Sequence, residues 1–354
     1  HPDYLISLSN LASSYSDLGD FKNALKIKQE VVNSGKEVWG EEHPNYLTSL
    51  NNLAYSYGSL GDFYTALEIH KKVIDLEKKV LGEKHPNYIN SLSNLAFTYS
   101  QLGDFPSSLE THLKVIELSK EVLGERHPLY SLYLGNLASV YLDLGDNQLA
   151  LIINQKVIEL RKEILGENHP DFLMSLNNQG RIQSNLGNYL EALTINQKVT
   201  DLGKEVWGEK HPDYLNSLGN LALSYSDLGD YPASLEINLR VVDLKKEILG
   251  ENHPNYFTSL NNLASNYSNL GNHQKAFEIE QVLLELRKKF VGEKHPDYIL
   301  SLSNISLSEF YLRKYNLALY HSFLSAKFTQ ERVIEFFGQL TEFQRENFCT
   351  QNRS

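Results

Sequence analysis

Cysteine is all but missing from this sequence. Its single thiol, Cys349, stands in a polar tail, so neither an intrachain disulfide nor a cysteine-based zinc site can form. A reducing cytosol is the expected setting. Long apolar runs are lacking as well. No stretch approaches the ~18 residues of a membrane-spanning helix, and no basic-then-apolar leader is present, so no membrane association is expected. Basic charge is in deficit: 33 Lys and Arg face 44 Asp and Glu, giving a formal net charge of −11 with the two signs interspersed. Such a field repels a phosphate backbone, which argues against nucleic acid as a partner. The glycines occur as isolated residues and never as a Walker-type phosphate loop. The only methionine is Met174, and the pattern is already running at His1, so the chain is expected to be a piece of a longer protein.

What the sequence does contain is repetition. His-Pro recurs at His1, His43, His85, His127, His169, His211, His253 and His295, at an unbroken interval of 42 residues. Seven complete units span 1–294 and a divergent eighth covers 295–336, followed by a segment over 337–354. Each unit predicts two helices. Pro2 suits a first helical position and Asp3 the positive end of the helix dipole. Leu5, Leu8, Leu11, Ala12, Tyr15 and Leu18 then mark one buried stripe at 3- and 4-residue spacing. Gly19 stops the helix, Asp20 caps the next, and Phe21, Ala24, Leu25, Val31, Val32, Val38 and Trp39 line that second helix up to Gly40. A lone hairpin cannot bury both faces, so the units must stack into an all-α solenoid with one continuous core.

The signature Leu11-Ala12, Tyr15, Gly19, Phe21, Ala24 and Leu25 resembles a tetratricopeptide repeat. The longer period, with "SLxNLA", "LGD" and "GExHP" in each unit, is similar to the repeats of kinesin light chains and of light-chain-like arrays. The resemblance covers about 1–328 and implies a right-handed superhelical solenoid of antiparallel helix hairpins whose first helices line a concave groove. It implies a cytoplasmic scaffold or adaptor that binds a protein or an extended peptide, without enzymatic activity and without a cofactor.

Within that frame one polar ladder stands out. Asn10, Asn52, Asn94, Asn136, Asn178, Asn220, Asn262 and Asn304 occupy one position in all eight first helices, although Asn is a poor helix former. Two readings stand: hydrogen bonds that hold neighbouring units in register, or, as the resemblance implies, clamps on the backbone of a bound peptide, since an amide both donates and accepts. Selectivity is then expected from neighbouring positions: Ile6, Ser9 and Ser13; Thr48, Asn51 and Tyr55; Asn90, Ser93 and Phe97; Leu132, Met174 and Arg181. Tyr55 and Phe97 are candidate anchors, with packing as the alternative, and Arg181 is the one obvious cation of the series.

The histidines suggest no metal centre. The eight His-Pro copies are two helices apart, at roughly 8–10 Å per helix, whereas zinc ligands converge within about 2 Å of one ion, so turn or capping roles are expected. His70, His112, His273 and His321 are expected to pack or to face solvent. In the fifth unit Gln179, Gly180 and Gln183 replace Leu, Ala and Tyr, which marks either a tuned binding position, favoured by Arg181 between them, or a weakened joint. The eighth unit has Glu309, Arg313 and Lys314 where an aromatic, Gly and Asp are usual, as befits a terminal unit. Beyond it Phe328, Val333, Ile334, Phe336, Phe337 and Leu340 predict a capping helix, and Thr341-Glu342-Phe343-Gln344 has the form of a capping box. That closing stretch faintly resembles the segment joining such arrays to CHAT-type proteases, so a docking arm of a larger enzyme is the alternative function.

Overall fold

The computed structural model describes residues 1–339. They form α1 (Pro2–Asp17), α2 (Phe21–Trp39), α3 (Pro44–Ser59), α4 (Phe63–Val80), α5 (Pro86–Leu102), α6 (Phe105–Val122), α7 (Pro128–Asp143), α8 (Asn147–Leu165), α9 (Pro170–Asn185), α10 (Tyr189–Val206), α11 (Pro212–Asp227), α12 (Tyr231–Leu249), α13 (Pro254–Asn269), α14 (His273–Phe290), α15 (Pro296–Tyr311) and α16 (Tyr315–Gln339). Among the described residues there is no strand, and no helix is long and apolar enough to cross a membrane.

The repeated residues act where their chemistry places them. Every His-Pro histidine is an N-cap: its Nδ1 accepts from the backbone N–H two residues on, as in His43 to Asn45 and His85 to Asn87, both 3.1 Å. A cap of this kind contributes about 1 kcal/mol per helix. Asp20, Asp62 and Asp104 cap the second helices by accepting from Asn23, Thr65 and Ser107. The eighth unit forces a left-handed conformation on Arg313, φ 61°, where the other units place glycine.

Each helix packs on its predecessor and successor, so the core is continuous, with Tyr88, Ile89, Val115 and Tyr133 as a representative layer. First helices of successive units also approach one another, α5 to α7 and α9 to α11, and therefore lie on the inside of the curve. In the first unit Leu5 and Ala12 are buried, whereas Leu11 and Leu18 are 47% and 67% exposed. At the other end Phe328 joins the core of α15 and α16. As far as Gln339 the expected capping helix is a continuation of α16, on which Val333 and Ile334 are exposed. The capping box at 341–344 lies outside the described residues, as does Cys349.

The curve meets itself. His253 Nε2 donates to the Asp17 carbonyl at 3.2 Å, and Lys22 Nζ donates to the Lys289 carbonyl at 2.8 Å. Gly19 lies against Pro254, and Gly61 against His295 and Pro296. Unit one thus touches unit seven and unit two touches unit eight, so the superhelix completes a turn in about six units.

Candidate functional site

Where the turn closes, a cavity of about 730 Å³ opens between units two and three and is bounded on one side by His295 and Asp297 of unit eight. Asn52, Tyr55, Asn94 and Phe97 line it together. Tyr55 and Phe97 are 62% and 58% exposed, so neither is filling a packing gap. The other expected site residues lie elsewhere along the first helices. Asn136 borders a smaller cavity of about 240 Å³ that it shares with Asn94 and Phe97. Arg181 is exposed on α9, where its charge opposes the burial that raises the carboxyl of Asp143.

The asparagine ladder divides into two sets. Asn136 Nδ2 donates to Ser93 Oγ at 3.3 Å, Asn220 Nδ2 to Asn177 Oδ1 at 3.2 Å and Asn304 Nδ2 to Asn261 Oδ1 at 2.9 Å. Each of these ties a unit to the residue one before the ladder Asn of the preceding unit. The side-chain amides of Asn10, Asn52, Asn94, Asn178 and Asn262 make no hydrogen bond among the described residues. Ser93 and Asn51, expected as selectors, line the two cavities and also carry bonds within the framework: Ser93 accepts from Asn136, and Asn51 Nδ2 donates to Ser91 Oγ at 2.8 Å.

Behind the ladder lies a buried polar column, of which His70 and His112 were expected only to pack or to face solvent. Lys28, His70, His112, Asn154, Asn196, Asn238 and Glu280 recur at 42-residue spacing on the second helices, and all are buried. Burial pushes the imidazoles of His70 and His112 down to about 4, so both are neutral near pH 7, and it pushes the Glu280 carboxyl up to about 7. Two helical turns further on, Gly35, Glu77, Ser119, Arg161, Gly203, Lys245 and Arg287 form a second buried column. The two columns meet at the large cavity. His70 Nδ1–H donates to Asn51 Oδ1 at 3.2 Å, Asn51 donates to Ser91, and Ser91 bonds Glu77. Glu77 is 3% exposed and its Oε2 has no partner, and burial holds its carboxyl above the ordinary range. The signal that would have exposed these columns was polarity recurring at one repeat position inside an apolar stripe.

The fifth unit's polar residues do not reach the groove. Gln179 Oε1 accepts from Asn154 Nδ2 and Gln183 Oε1 from Asn188 Nδ2, each at 2.9 Å, so both amides are buried with partners. Gly180 provides the space for Asn196, whose Oδ1 stands 2.3 Å from where a Cβ would be. In the eighth unit Glu309 is buried and accepts from His321 Nδ1 at 2.9 Å, a polar replacement for the missing aromatic. His273 stacks on Tyr311 with ring centres 4.2 Å apart. Among the described residues no three His, Cys, Asp or Glu side chains converge as a metal site requires.

The tetratricopeptide repeat family model matches residues 3–76, 50–121, 93–163, 131–205, 171–247 and 213–289. No curated protein sequence matches the chain. Among solved structures, nearly identical TPR-like repeats ascribed to a kinesin light chain of Podosopora anserina share 26% identity, with a TM-score of 0.50 over 58% of this chain and 97% of theirs. BtubC (BKLC) from P. vanneervenii shares 14% identity, with a TM-score of 0.50 over 66% of this chain and 91% of its own. Rap protein complexed with Competence and Sporulation Factor shares 12%, with a TM-score of 0.61 over 94% of this chain and 99% of its own. With the helix hairpins, the first helices on the inside of the curve and the 42-residue period already in place, the chain belongs to the tetratricopeptide repeat family, as an array of the kinesin-light-chain-like type.

Proposed function

We propose that the chain is a non-catalytic scaffold that holds an extended segment of a partner protein along the inner face of the superhelix, with units two and three as the principal site. The observation that carries this reading is the placement of Asn52 and Asn94 side by side on one cavity wall, flanked by exposed Tyr55 and Phe97. Free amides on successive first helices match the alternating donors and acceptors of an extended backbone, while the rings supply apolar contact that an isolated helix surface would not leave in water. Arrays of this family are in general scaffolds for protein–protein interaction, and Rap, a protein of the same fold, forms a complex with Competence and Sporulation Factor.

Asn136, Asn220 and Asn304 belong to the framework in this reading, and Asn10, Asn178, Asn262 and Arg181 extend the groove to either side. The test is fluorescence anisotropy with fluorescein-labelled random decapeptide pools. Asn52→Ala with Asn94→Ala should weaken capture by about fivefold per lost hydrogen bond, roughly 1 kcal/mol each, with the melting temperature unchanged. Undiminished affinity in a folded double variant would refute the clamp.

A further inference from the structure

The charged lining of the large cavity is acidic: Glu77 and Asp297 stand there beside His70 and His295, with no Lys or Arg among the lining residues. His70 is neutral near pH 7, and burial also lowers the basicity of His295. Glu77 is a buried carboxyl whose Oε2 lacks any hydrogen-bond partner. A group in that position recovers part of its lost hydration from Ser91 and none at Oε2, a loss that a cation or strong donor arriving from the cavity makes good. The same column position holds Gly35, Ser119 and Gly203 in three units and the basic Arg161, Lys245 and Arg287 in three others, so a carboxyl stands there in unit two alone.

The rim supplies the second half of the argument. Tyr55 and Phe97 present exposed rings on first helices one unit apart, at the mouth of the same cavity. Aromatic faces attract ammonium and guanidinium groups. The Tyr55 ring already does so: the Lys28 ammonium lies 5.5 Å from its centre.

We infer that the cavity between units two and three is a specificity pocket for a basic side chain, lysine or arginine, of the bound segment, with Glu77 as its counter-ion and Tyr55 and Phe97 around its stem. The inference rests on the groove reading above and adds to it the chemistry that the groove selects. Asn52 and Asn94 hold the backbone on either side, and Asp297 adds a second carboxylate from unit eight.

The experiment uses the 354-residue chain and fluorescein-labelled decapeptide pools, random except for a central residue fixed as Lys, Arg, norleucine or Glu. The Lys and Arg pools should bind about tenfold more tightly than the norleucine pool, and the Glu pool least, since a bond between charged groups exceeds a neutral one. Glu77→Gln should remove that preference and leave norleucine binding in place. Tyr55→Leu and Phe97→Leu replace exposed rings, so they test the pocket even if Glu77→Gln does not fold, and each should reduce the Lys preference several-fold. Equal binding of the Lys and norleucine pools, or a Lys preference that survives all three substitutions, overturns the inference while the groove reading stands. Binding of no pool at all overturns both.

Discussion

Two glycines separate the contact between superhelical turns from everything else a glycine does in this fold. Gly61 and Gly103 occupy the same repeat position with the same φ of +80°, and Gly19 and Gly145 lie at +75° and +79°. Alanine at any of the four therefore meets the same left-handed backbone penalty, about 1–2 kcal/mol per site. Only two of them meet a neighbour as well. A Cβ on Gly19 would stand 2.7 Å from Pro254 Cδ, and one on Gly61 2.9 Å from His295 Cδ2, whereas Gly103 and Gly145 have open space around them. Holding the turn closed against those overlaps costs about 1–3 kcal/mol per site. Solvent-accessible hydrogen bonds cross the contact, among them His253 to Asp17 and Lys22 to Lys289, each worth about 1 kcal/mol. A superhelix can relieve strain by small rotations at many joints, so the turn should part. In Gly19→Ala with Gly61→Ala, small-angle X-ray scattering should show a larger maximum dimension, and in Gly103→Ala with Gly145→Ala the wild-type dimension. Thermal melts should fall in both, and further in Gly19→Ala with Gly61→Ala, which also loses the contact. Identical scattering from the two pairs, or expansion of the control pair, would refute the closed turn.

Two further outcomes follow from buried polar groups. Gly180→Ala should cost about 2–3 kcal/mol in urea denaturation, because the new methyl displaces Asn196, whose Nδ2 holds Ser224 Oγ at 2.7 Å; in a double-mutant cycle Asn196→Ala should recover part of the loss. Glu280, held at about 7 by burial with Glu309 adding to the rise and the Ser308 bond opposing it, binds its proton more tightly in the folded chain than unfolded, where the ordinary value is 4.5. Its contribution to stability is therefore full below pH 4.5 and falls away as pH rises towards 7, by about 3 kcal/mol. Glu280→Gln should raise the melting temperature at pH 8 and change it little at pH 5, and equal shifts at both values would contradict the assignment.

The helices were legible because each boundary is written by a residue with one physical use there: His and Asp as caps, glycine for positive φ, apolar spacing for the buried stripe. The candidate site was legible in part. Asn52, Asn94, Tyr55 and Phe97 share a face because repeat position fixes helix face, and that much follows from spacing alone. Which ladder amides are free did not follow. Asn136, Asn220 and Asn304 are engaged by Ser93, Asn177 and Asn261, a pairing set by the rotation between successive units. The fifth unit misled for a related reason: Gln179 and Gln183 look costly on their own helix, and their partners Asn154 and Asn188 lie on a neighbouring helix and across a turn. Glu77 was hidden among the many acidic residues of second helices, since burial of a charged type is invisible without the packing.

The closed turn also gives a physical reason for the unbroken spacing. In an array whose units contact only their neighbours, a residue inserted in one surface loop disturbs one joint and the rest of the stack follows rigidly. Here units one and seven, and two and eight, must meet at van der Waals distance after six joints. An angular error at each joint is then multiplied sixfold at the contact, and glycine against proline ring leaves no slack to absorb it. The constancy of the caps and the small residues thus acts at long range, by making every joint alike, and it brings His295 and Asp297 to the cavity between units two and three. Variation falls on the groove-facing residues, on the two buried columns and, in units five and eight, on positions of the frame; in the columns a change is met by a compensating change on the same or the facing helix. Ser119 faces the unit that carries Tyr133 where others carry serine, and Gly35 and Gly203 each accompany a tryptophan, Trp39 and Trp207, whose ring fills the space a side chain would take. A uniform frame with compensated variation inside it lets one repeated hairpin build a chemically distinct cavity between units two and three.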